Sequence, residues 1–199
     1  MMSQDEQPIA KKNTPTFNEL LKVSTIAYFV MAFVGVEICW WYHKNVQLRF
    51  GPISYDRVQL LAIIVASFMF LHLCQKAMEN FFPSYRSFRV TLAKLFHGVT
   101  WRGALWLAVV SSFGEEILFR GALQPILGIW LTSIGFGFLH LDPDGGVSVW
   151  TAWAMVAGLL LGTIVDVTGS LWPAILVHFL INFVGILGLS KSSNQRAAR

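Results

Sequence analysis

Two adjacent acids and an arginine stand in a stretch of sequence that is otherwise apolar. Glu115, Glu116 and Arg120 lie in the run Ser111-Ser112-Phe113-Gly114-Glu115-Glu116-Ile117-Leu118-Phe119-Arg120. Two later apolar runs carry Phe136 with His140 and His178 with Asn182, each pair four residues apart and therefore on one helical face. A carboxylate and an imidazole facing one water act together as a general base, and the protonated partner then donates to a leaving amine. A second imidazole and an amide donate to the oxyanion of a tetrahedral intermediate. Hydrolysis of a peptide bond needs both functions, and Glu115, His140, His178 and Asn182 supply both.

The elements that must position these groups are membrane helices. Of the 199 residues, 55% are hydrophobic and 13% charged, against roughly 25% charged in a soluble domain. Mean hydropathy is +0.57. A lipid-exposed span must satisfy its own backbone, which leaves helices or a closed barrel. Barrel strands alternate apolar and polar residues, whereas this chain has long unbroken apolar runs. The fold expected is all-α, a polytopic transmembrane helix bundle. The net charge of +4 calls for no nucleic-acid partner, because the basic residues cluster between the apolar runs. Cys39 and Cys74 lie inside apolar segments and read as buried thiols.

Apolar segments fall at about Leu20–Tyr42, Val58–Cys74, Gly103–Leu127, Ile129–Leu141, Val147–Val165 and Leu171–Leu189. A span needs on the order of 20 residues, so the fourth of these six is too short to cross alone. The first reads as a retained anchor rather than a signal peptide, and Thr16 with Glu19 fits the capping box that opens a helix. The stretch from Lys76 to Arg102 is basic and aromatic, either an interfacial helix or an ordinary loop. Residues 1–19 then form a disordered polar tail containing Lys11, Lys12 and Pro15. Residues 20–102 form an N-terminal two-helix membrane region with its basic loop, residues 103–189 a catalytic core, and residues 190–199 a polar C-terminal tail. Counting Lys and Arg places both termini in the cytoplasm, with only Lys44, Arg49 and Arg57 outside. Gly158 and Gly162 form a small-residue face for close helix packing.

Each acid or Arg near mid-bilayer costs about 2.5–3.5 kcal/mol on the insertion scale, so three cost on the order of 8–10 kcal/mol. They must be paired, face a wet cavity, or both. Glu116 and Arg120, four apart, suit an ion pair. Glu115 is about 100° around the helix and needs a partner from another segment. A helix that turns near Gly128 puts Glu115 and His140 at about the same depth, roughly 19 Å from the turn, with Asn182 roughly 16 Å in from the same side. A turn at Gly121 to Pro125 would separate Glu115 from His140. The price of the later turn is that Asp142-Pro143-Asp144-Gly145-Gly146 becomes a loop partly within the membrane. Glu37, His43, His72, His97 and Asp166 lie near segment ends or in the basic loop and are given no chemistry.

These residues resemble the CAAX prenyl protease and bacteriocin-processing family, also called Abi, of intramembrane glutamic endopeptidases. Its E-E-x-x-x-R motif matches Glu115 to Arg120, its F-x-x-x-H motif Phe136 to His140, and its H-x-x-x-N motif His178 to Asn182. The resemblance implies that Glu115 and His140 activate the water and that His178 and Asn182 stabilise the oxyanion. Glu116 and Arg120 then support the site, with Phe136 beside the imidazole. The connection from Arg120 to His140 is shorter than in many relatives. The expected partners are a peptide or membrane-protein substrate and the lipid bilayer, in a prokaryotic inner membrane, with no cofactor.

Two alternatives stay open. Glu115, His140 and His178 are a plausible zinc-ligand set, although no H-E-x-x-H helix is present. A non-enzymatic membrane protein, such as a bacteriocin-immunity or assembly factor, would use the polar cluster only to fix helix register. A serine mechanism is weaker, because Ser111, Ser112 and Ser133 lack a G-x-S-x-G context. No inverted repeat suggests a transporter.

Overall fold

The structure is a computed structural model that describes residues 16–42, 49–51, 53, 55–142 and 146–197, with side chains through 192. Most of the expected N-terminal tail (with Lys11, Lys12 and Pro15), His43, Lys44, and Pro143 to Gly145 lie outside the described residues. The chain is a helix bundle in the order α1 (Phe17–Trp41), α2 (Arg57–Phe81), α3 (Pro83–Leu95), α4 (Trp101–Glu116), a π-helical segment (Ile117–Leu123), α5 (Gln124–Phe138), α6 (Val149–Thr168) and α7 (Leu171–Ala197). Among the described residues, five helical stretches are long and apolar enough to cross a membrane.

Local chemistry sets the helix ends. Thr16 Oγ1 accepts from the Glu19 N–H at 3.3 Å while the Glu19 carboxylate accepts from the Thr16 N–H at 2.8 Å, closing the expected capping box. Asp56 and Gln59 do the same for α2. Pro83 opens α3, where a missing N–H costs nothing. The basic stretch is therefore helical. Its Arg86 donates to the Glu79 and Asn80 carbonyls at 3.1 and 3.0 Å, satisfying orphan acceptors at the C-terminal end of α2. Arg89 pairs with Glu79.

The third and fourth apolar segments form one stretch, Trp101–Phe138, whose helical path breaks at Gly128. Gly128 has φ 77° and ψ 164°, a conformation open to glycine and costly to side chains bearing Cβ. The chain passes through Gly121 to Pro125 as helix and turns at Gly128, as the depth argument requires. From Ile129 to Phe138 the returning helix reaches roughly 15 Å, about half of a hydrocarbon core. A turn carrying His140 follows, and beyond it Asp142 and Gly146 bridge through two backbone hydrogen bonds of 2.9 and 3.0 Å.

Polarity is inverted relative to a water-soluble protein. Val23, Ile26, Phe29 and Phe33 on α1 are 60–67% exposed, whereas Glu116 and Arg120 are 0% and 1% exposed. An apolar face of this extent is the side presented to lipid, and the charged groups are shielded by the bundle. The molecule is an integral membrane protein.

Candidate active site

Three helix pairings bring the polar residues together, each in a regular register. α7 runs antiparallel to α4, so that His178 meets Glu115 and Glu116 while Asn182, one turn further, meets Ser111. α6 runs parallel to the π-helical segment and the start of α5. Arg120 Nη2 donates to the Gly158 carbonyl and Gln124 Nε2 to the Gly162 carbonyl, both at 3.1 Å. α5 folds back against α6, where a Cβ on Gly158 would lie 3.3 Å from Ser133 Cα and from Phe136 Cδ1. The small-residue face of α6 thus positions polar side chains as well as packing helices. Its bare backbone lets a guanidinium and an amide reach carbonyls already bonded along the helix. A Cβ on Gly162 would stand 2.6 Å from Gln124 Oε1 and 2.9 Å from Ile129 Cγ1. Gly162→Ala is therefore expected to destabilise the protein by about 1–3 kcal/mol, read as a lower thermal unfolding midpoint in detergent micelles.

At the centre, His178 lies between the two acids. Its Nδ1 is 2.8 Å from Glu116 Oε1, and its Nε2 is 3.6 Å from Glu115 Oε2. The expected Glu116–Arg120 pair is present at 3.6 Å, with both side chains 0% exposed. The Arg120 guanidinium lies 4.4 Å from the centre of the Phe136 ring, so that a π-face covers a cation withdrawn from water. Phe136 in turn packs against His140, with ring centroids 4.6 Å apart, and edge-on against His178 at 5.9 Å. Phe136 is thus shared packing for the guanidinium and both imidazoles.

His140 Nδ1 is 2.8 Å from the Phe136 carbonyl. A carbonyl only accepts, so Nδ1 carries the proton and Nε2 is the basic nitrogen of the neutral ring. Asn182 Nδ2 donates to Ser111 Oγ at 2.9 Å, and Ser111 Oγ donates to the Ala108 carbonyl at 3.2 Å. Ser111 therefore fixes the Asn182 amide. Glu115 Oε2 is buried and has no hydrogen-bond partner among the described residues.

Glu115, His140, His178 and Asn182 all line one cavity of about 280 Å³. Its far wall is aromatic, built by Tyr85 and Phe88 of α3 with Trp150 and Trp153 of α6. Trp150 stacks on Trp153 at 5.0 Å and on Phe88 at 5.3 Å. Burial pushes the Tyr85 phenol above its ordinary range, which keeps it neutral. Among the described residues, no group of three or more His, Cys, Asp or Glu is placed to hold a metal ion.

Two of the positions given no chemistry, Asp166 and His72, contact neighbouring side chains. Asp166 pairs with Arg49 at 3.4 Å across a half-exposed surface, and His72 stacks on Phe68 at 5.8 Å. Sequence reasoning missed the doubly flanked His178, the Ser111 support of Asn182 and the Gln124 clamp. Gln124, one turn after Arg120 and opposite the second glycine of a matching pair, was the available signal for that clamp.

Residues 97–184 match the family described as Type II CAAX prenyl endopeptidase Rce1-like. Among curated proteins, the uncharacterized protein YpbD of Bacillus subtilis (strain 168) is 37% identical over 82 residues, which cover 40% of this chain and 42% of that protein. The alignment thus spans less than half the length of that relative. No solved structure matches. All three motifs fall inside the segment, residues 97–184, that is similar to the Rce1-like family.

Proposed function

We propose that the chain is an intramembrane endopeptidase that hydrolyses peptide bonds of a membrane-associated substrate, with water as the nucleophile. The observation that carries this reading is the single cavity lined by Glu115, His140, His178 and Asn182. In the reaction, Glu115 and the basic Nε2 of His140 share a water and remove its proton as its oxygen attacks the scissile carbonyl. The oxyanion of the tetrahedral intermediate accepts from His178 Nε2 and from the second Asn182 Nδ2 hydrogen. Because His178 Nδ1 donates to Glu116, a ring that also donates from Nε2 is cationic, and the flanking carboxylates balance its charge. The C–N bond then breaks, and the proton taken from water passes to the leaving amine.

Glu116 and Arg120 support this arrangement by holding His178 and by anchoring the segment to α6. The aromatic wall suits an apolar side chain of the substrate beside the scissile bond. No metal enters the scheme; the distribution of Lys and Arg supports cytoplasmic termini, and the bilayer we propose is a prokaryotic inner membrane. The test is a comparison of new N-termini in membrane fractions from cells producing the wild-type chain or Glu115→Ala. Peptide termini that appear only with the wild type, and persist when cells are lysed in a zinc chelator, are the expected result. Identical termini from both would leave the polar cluster as a register device in a non-enzymatic immunity or assembly factor. Loss of cleavage on chelation, with recovery on adding zinc, would favour the metal mechanism.

A further inference from the structure

The cavity is lined partly from outside the matched segment, and one of those side chains, Tyr28, comes from α1. α1 runs parallel to α4 along a contact that glycine makes possible at several levels. At Gly103 the Phe17 ring occupies the place of a side chain. Trp106 Nε1 donates to Thr25 Oγ1 at 3.0 Å. At Gly114 a Cβ would lie 2.6 Å from the Tyr28 carbonyl oxygen and 3.0 Å from its Cβ. Further along, Gly35 sits against Ile117 and Leu118 of the π-helical segment, and Cys39 Sγ approaches the Gly121 carbonyl at 3.7 Å. Among these contacts the tightest approach to backbone is at Gly114, the residue before Glu115. It delivers the Tyr28 side chain to the cavity that Glu115 lines.

We propose that Tyr28 is a positioning residue for Glu115: its phenol donates to one oxygen of the carboxylate and holds the other toward the cavity. Both side chains line one cavity, Tyr28 packs against the residue before Glu115, and Oε2 of Glu115 is a buried oxygen without a hydrogen-bond partner, the one a neighbouring phenol would satisfy. A carboxylate on a flexible side chain has rotamers to lose, and a general base must present its lone pair to the water in one of them. One donor on one oxygen removes that freedom and leaves the second oxygen available. α1 is then part of the catalytic apparatus as well as an anchor.

This inference rests on the peptidase reading, and the experiment separates the two. Wild type, Tyr28→Phe and Glu115→Gln are reconstituted in nanodiscs and assayed on an internally quenched library of apolar peptides. Tyr28→Phe keeps the ring packing and deletes the donor. A hydrogen bond to a charged group is worth a factor of about 10–100 in rate. The expected result is a fall of that size in kcat, with KM within about twofold, because ground-state binding does not use the bond. Isotope-edited infrared difference spectra provide a second readout that leaves Tyr28 intact. The C–O stretch of labelled tyrosine is expected to shift between wild type and Glu115→Gln.

Wild-type kcat in Tyr28→Phe, or an unshifted tyrosine band, overturns the role of Tyr28 while Glu115→Gln remains inactive. Full activity in Glu115→Gln, or no cleavage by wild type, overturns the peptidase reading and with it any catalytic role for Tyr28.

Discussion

Glu115→Gln and His140→Ala are each expected to lower kcat/KM for peptide hydrolysis by about 10²–10⁴-fold, the range that a positioned general base contributes. Glutamine keeps the size of glutamate and removes the basic oxygen. Alanine at 140 removes the only nitrogen of that ring not bonded to the Phe136 carbonyl. Neither change should unfold the protein. Glu115 stands 3.6 Å from His178, beyond hydrogen-bond distance, and His140 is only partly buried. Purified variants should therefore keep wild-type thermal midpoints in detergent and fail in the assay. A variant that retains wild-type turnover would remove that residue from the chemistry.

Arg120→Ala is expected to have the opposite signature, a large loss of stability. The guanidinium is fully buried, pairs with Glu116, donates to the Gly158 carbonyl and packs on Phe136. Removing it leaves Glu116 as a buried carboxylate with only His178 beside it. Breaking a buried pair from one side costs about 3–5 kcal/mol, which lowers the thermal midpoint by roughly 6–20 °C in a chain of this size. Arg120→Met combined with Glu116→Gln removes both charges while keeping most of the volume. The double variant should be more stable than Arg120→Ala alone. Equal stability of the two would mean that packing, rather than the stranded charge, sets the cost.

Much of this site was legible in the sequence because charge is conspicuous in lipid. Glu115, Glu116 and Arg120 stand out by their insertion cost, and the four-residue spacings of Phe136–His140 and His178–Asn182 fix which residues share a helical face. The turn at Gly128 was legible for a related reason, since only a turn there gives Glu115 and His140 the same depth.

Contacts between helices were less legible. Periodicity gives the face of a helix but not its rotation against a neighbour, so the identity of Glu115's partner stayed open, and His178 was read with Asn182 rather than between two acids. Tyr28 carries no anomaly of its own in an aromatic membrane helix. What marks its place is on the other helix, where Gly103 and Gly114 open one side of α4 to α1. Nor does the pattern announce the π-helical segment. Apolar residues flank Arg120 as they would in an α-helix, and the wider turn is decided by the docking of Arg120 and Gln124 on α6.

The most direct test of a shared water is a double-mutant cycle on Glu115→Gln and His140→Ala, measured as single-turnover cleavage of one quenched peptide in nanodiscs. If both groups act on one water, the second substitution has little left to remove, and the double variant cleaves about as fast as the slower single variant. Rate losses that multiply across the two sites would mean that Glu115 and His140 act independently, and the convergence of the two on one nucleophile would be wrong.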